Sequence, residues 1–93
     1  MRIIGDIPHP FLKITVFKNE GKLSIKCEAG LLEQIYKFRD DERLQSFEDI
    51  QKIVDEAFIK NMENVMSDMA IAKNDAMLRN LSVPQEDEFD VIL

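Results

Sequence analysis

One cysteine and one histidine stand among the 93 residues. A lone cysteine, Cys27, excludes an intrachain disulfide and suits a reducing compartment. With His9 the only histidine, no transition-metal cluster is expected. His9 lies between Pro8 and Pro10 and reads as a polar loop residue, neither a metal ligand nor a catalytic base. Gly5, Gly21 and Gly30 are the only glycines and are far apart, so they form no phosphate-cradling loop. No apolar run is long enough to span a membrane. Asp6 and two prolines interrupt the first ten residues, which leaves no apolar core for a signal peptide. A cytoplasmic protein is the expectation.

Against these absences stand an apolar fraction of 45% and a charged fraction of 32%. These are the values of a globular protein, and the length suits one domain with a modest core. The net charge of −6 argues against a protein that coats nucleic acid. Charge is spread unevenly. Residues 1–39 hold seven Lys/Arg against four Asp/Glu, residues 47–80 four against seven, and residues 81–93 none against four.

From Ser46 to Asn80 there is neither glycine nor proline, and apolar residues recur at helical spacing. The pattern predicts one helix over about 47–79. Ser46 and Asp49 form a capping box, with Asp in place of the longer Glu or Gln. Asn80 is expected to end the helix in a left-handed cap. Ile50, Val54 and Phe58 are spaced 4-4. From Met62 the spacing tightens to 3-4-3-4 through Val65, Met69, Ala72 and Ala76, which resembles a heptad seam.

Three strands precede the helix. Phe11–Phe17 and Lys22–Glu28 alternate, with Leu12, Ile14, Val16, Leu23, Ile25 and Cys27 inward. A two-residue turn at Ala29-Gly30 then places Leu32, Gln34, Tyr36 and Phe38 on the same side. A four-residue loop at Lys18–Gly21 completes the rows Val16–Leu23–Tyr36, Ile14–Ile25–Gln34 and Leu12–Cys27–Leu32. Arg2–Ile7 is either a fourth strand or an extended arm. The fold class is thus α+β: a three-stranded antiparallel meander, with or without the N-terminal strand, packed by one long C-terminal helix. It forms a single domain over residues 1–80, with the sheet at about 11–39. Residues 81–93 form an acidic tail whose apolar Phe89, Val91 and Ile92 are expected to dock on a sheet edge or on the outer face.

Chemistry finds little support in the chain. Asp55, Glu56, Glu63 and Asp68 read as a solvated helix face, since none is paired in the apolar frame that tunes a carboxylate for acid–base work. Cys27 falls on the core face and reads as a small buried hydrophobe. The expectation is a non-enzymatic protein with no cofactor and no metal. A helix of about 33 residues would outrun a sheet only about 23 Å long. The overhang requires either a break near Asn74-Asp75 or a second chain. The preferred reading is a protein–protein interaction module, a homodimer joined through Met62, Val65, Met69, Ala72 and Ala76. The reading from another class is single-stranded nucleic acid on the outer sheet face, where Phe11, Lys13, Phe17, Lys26, Ile35 and Lys37 mix aromatic and cationic side chains. The same face suits an unidentified protein partner.

Overall fold

A four-stranded antiparallel meander in the order β1-β2-β3-β4 forms the body of the protein. The structure is a computed structural model that describes residues 2–81. The strands are β1 (Arg2–Ile7), β2 (Lys13–Asn19), β3 (Lys22–Ala29) and β4 (Leu32–Arg39). Two helices follow, α1 (Phe47–Ile53) and α2 (Glu56–Asn80). The α+β class, the meander and a long C-terminal helix match the sequence reading. Arg2–Ile7 is the fourth strand rather than a free arm. The expectation for Phe89, Val91 and Ile92 lies outside the described residues.

The first hairpin closes more tightly than predicted, and the turn of the second is shifted by one residue. Ala29 pairs with Leu32, so the second turn is Gly30-Leu31 rather than Ala29-Gly30. Asn19 pairs with Lys22, so the first turn is Glu20-Gly21 rather than a four-residue loop. Gly30 has φ +61° and Gly21 φ +68°. Such turns need a residue at positive φ, which the Cβ of Ala29 would resist. The core rows become Val16–Ile25–Tyr36 and Ile14–Cys27–Gln34. Each pairing has slipped by two residues. Because side chains alternate with period two, the slip leaves every residue on its predicted face.

β1 joins β2 through Ile3↔Phe17 and Gly5↔Val16, with a bulge between Ile3 and Gly5. Gly5 marks a close approach. A Cβ there would fall within 2.7 Å of Phe47 Cζ, so the ring of α1 rests directly on the strand backbone.

The predicted single helix is broken at Val54-Asp55, not at Asn74-Asp75, where α2 runs through without interruption. Two local features mark the break. Val54 leaves helical geometry with φ −87° and ψ 72° while its side chain is buried. Asp55 then caps α2 by accepting the N–H of Phe58 at 2.9 Å. The break frees two directions. α1 lies against β1, while α2 crosses over β4. The Ser46–Asp49 capping box forms as predicted, with Asp49 Oδ2 accepting the N–H of Ser46 at 3.1 Å. Asn80 remains helical and donates its side-chain amide to the carbonyl of Ala76 at 2.8 Å, and the next residue, Leu81, is extended. The left-handed cap is thus absent, because the Asn side chain has already satisfied an end carbonyl.

The core lies between the inner sheet face and the helices. Ile14, Val16, Leu23, Ile25, Cys27, Ile50 and Met62 are its most enclosed side chains. Gln34 is buried among them and spends its polar atoms fully. Its Nε2 donates to the carbonyl of Met62 at 2.8 Å, and its Oε1 accepts from Tyr36 Oη at 2.5 Å. This one amide fixes the height of α2 over β4.

Candidate interaction surface

The direction of α2 follows from three contacts. Phe58 packs edge-on against Tyr36 at 5.1 Å, Gln34 bonds the Met62 carbonyl, and Met66 Sδ lies 3.7 Å from the same amide. The helix therefore runs along β4 toward the Gly30-Leu31 turn and passes beyond it. Met69 is the last large side chain of α2 packed on the core. About ten residues, 71–80, extend roughly 15 Å past the sheet.

The predicted seam is divided by this geometry. Met62 is fully buried in the protein's own core, and Met69 is half-buried against it. Met62 is therefore closed to a second chain, because α1 and the break at Val54 bring α2 onto the sheet earlier than one continuous helix would. Val65 and Ala72 are exposed and Ala76 is half-buried. The large exposed side chains of the overhang are Ile71, Met77, Leu78 and Leu81. Ile71, Asn74, Leu78 and Leu81 follow a 3-4-3 spacing and share a face about opposite to Val65, Ala72 and Ala76. Sequence reading passed over this strip. Its heptad spacing was visible, but the longer methionine series, which turned out to serve the core, absorbed the periodicity.

A second group of exposed apolar side chains sits where the overhang leaves the sheet. The loop between β1 and β2 and the Gly30-Leu31 turn occupy that end. Phe11 is 82% exposed and Leu31 90%. The loop is held by His9. Its Nδ1 accepts the N–H of Phe11 at 3.1 Å and of Leu12 at 3.0 Å, and its Nε2 lies 3.1 Å from Glu63 Oε2 on α2. That pattern requires the proton on Nε2. His9 is thus a clasp that ties loop to helix and presents Phe11 to solvent, a role with no signal in sequence.

The outer sheet face carries Ile3, Lys13, Thr15, Phe17, Ser24, Lys26, Ile35 and Lys37 by register. Lys13, Ile35 and Lys37 are exposed, and Phe17 is half-buried. Phe11 belongs to the loop rather than to this face. Lys26 is engaged by two carboxylates, Glu28 at 3.8 Å and Glu33 at 3.5 Å. Both carboxylates lie within ion-pair distance of its ammonium group.

Cys27 is enclosed in the core, and burial, assisted by the nearby Glu28, pushes its thiol above the ordinary value of 9.0. A thiol so placed is a poor nucleophile. Among the described residues no group of three His, Cys, Asp or Glu side chains is placed to hold a metal ion. No helix among them is long and apolar enough to cross a membrane.

Comparison with protein-family models, with curated proteins and with solved structures gave no match.

Proposed function

We propose that this chain is a non-enzymatic interaction module that self-associates through the overhanging end of α2. One observation carries the reading: the helix continues about ten residues past its own sheet with Ile71, Met77 and Leu78 in the open. A free helix end this apolar on more than one side calls for a neighbour. Among the described residues, Met69 is the last side chain of α2 packed on the core. The nucleic-acid reading has weaker support, because Glu28 and Glu33 occupy Lys26.

Sedimentation at tens of micromolar tests the proposal. A dimer is expected, and Leu78→Asp is expected to yield a monomer with unchanged helix content. A wild-type monomer under those conditions, or a dimer indifferent to Leu78→Asp, overturns it. Titration with single-stranded RNA across salt concentrations is expected to show no saturable binding.

A further inference from the structure

We infer that the occupant of the overhang is a second copy of this chain lying antiparallel. In this pairing each helix end reaches the sheet end of the other chain and covers its Phe11 and Leu31. The inference rests on the self-association proposed above and specifies its geometry.

Two patches and one length support it. The first patch is the strip Ile71, Leu78 and Leu81 along the overhang, with Met77 flanking it. The second is Phe11 and Leu31 at the base of the overhang. The tip of the first patch, Leu81, stands about the overhang's own length from the second, roughly 15 Å. Two overhangs laid side by side in opposite directions therefore bring each tip to the other's base. The two-fold operation satisfies both patches at once and closes the assembly. Side-by-side parallel helices would leave each tip about 15 Å from either sheet and Phe11 uncovered.

The faces also agree. His9 touches α2 at Glu63 and carries Phe11 with it, at an edge-on ring distance of 6.0 Å. Glu63, Ala70 and Met77 are seven residues apart and lie on one side of the helix, flanking Ile71, Asn74 and Leu81. Phe11 thus stands on the strip's side of α2 and not behind it. In the antiparallel pairing Ile71 meets the partner's Leu81, and Asn74 meets the partner's Leu78.

The area is sufficient. Phe11, Leu31, Ile71, Met77, Leu78 and Leu81 expose on the order of 700 Å² in one chain, close to the ~800 Å² per partner of a standard interface. The overhang strip alone offers little more than half of that.

Two measurements test the arrangement. In sedimentation, Phe11→Asp should raise the dimer dissociation constant at least tenfold, as Leu78→Asp does, although Phe11 is not on the helix. In cross-linking, Phe11→Cys and Leu81→Cys proteins are mixed and treated with a short bis-maleimide. Covalent dimers are expected from the mixture and not from either variant alone, with Cys27 silent in the core. A dimer that ignores Phe11→Asp, or that cross-links through Leu81→Cys alone, overturns the antiparallel arrangement and leaves self-association standing. A monomeric wild type overturns both.

Discussion

The two ends of α2 have similar compositions and opposite surroundings. Residues 56–70 place Phe58, Ile59, Met62, Met66 and Met69 on the sheet, with Gln34 bonded to the helix carbonyl of Met62. Residues 71–80 carry Ile71, Met77 and Leu78 with no sheet beneath them. Apolar content therefore does not separate core from interface in this helix. What separates them is where the sheet stops. The Gly30-Leu31 turn ends β4's support, and beyond it the same kinds of side chain acquire a different role.

Substitutions at matched positions in the two ends are the most direct way to break this contrast. Met62→Ala should destabilise the monomer by about 2–5 kcal/mol, since it opens a cavity under a fully buried side chain. Leu78→Ala should change monomer stability by no more than about 0.5 kcal/mol. Urea melts at sub-micromolar protein read both values, and equal midpoint shifts would show that the overhang is not free in the single chain.

The break between the helices accounts for where α2 begins, and Gly5→Ala tests what holds α1 in place. The new methyl group meets the Phe47 ring, and the expected loss is about 1–3 kcal/mol, as for overpacking elsewhere. Phe47→Leu in the same chain should recover part of it. No recovery would mean that the ring is not the obstacle.

Asp55→Ala removes the acceptor for the N–H of Phe58 at the start of α2 and should cost about 1 kcal/mol. Hydrogen exchange sharpens the comparison. Protection should fall at Phe58 and its neighbours while the amides of 71–80, at the far end of α2, stay as they were. Fast exchange spreading evenly along α2 would argue that the two ends unfold together.

The smallest effect concerns acid. The backbone N–H groups of Gln45 and Ser46 hold the Asp49 carboxyl below its ordinary value of 3.8. A group whose folded-state value is depressed stabilises the fold above its unfolded value, and that contribution disappears as pH falls through the folded one. Stability should therefore decline below about pH 4, and Asp49→Asn should flatten this part of the profile. A decline of equal size in Asp49→Asn would assign it to other carboxylates. Lys26→Ala, a partly exposed position on the outer face, should stay within about half a kcal/mol.

Local chemistry carried much of the fold in readable form. Alternation assigned Ile14, Val16, Leu23, Ile25 and Cys27 to one face, and the assignment survived a two-residue slip in both hairpins because the pleat repeats every two residues. Ser46 and Asp49 announced the start of α1, since a cap depends on neighbours three residues apart. The break at Val54-Asp55 was less legible. Asp55 is a good cap, but nothing local says that a helix should be interrupted there, and only the need to reach both β1 and β4 makes the interruption favourable. The surface was harder still. Met62 and Leu78 are both apolar residues on a helix, and periodicity treats them alike.

What the amino-acid order determined by itself was therefore whatever acts over a few residues: strand alternation, the glycines that turn, and the caps. Tertiary structure alone decided the rest. The position of Gly30-Leu31 relative to Met69 set where α2 loses its support, and the bonds from His9 to Glu63 and to the Phe11 amide set which side of the helix Phe11 occupies. The bond from His9 to Glu63 joins residues 54 positions apart. Burial is a property of the space between elements, and no local pattern encodes that space.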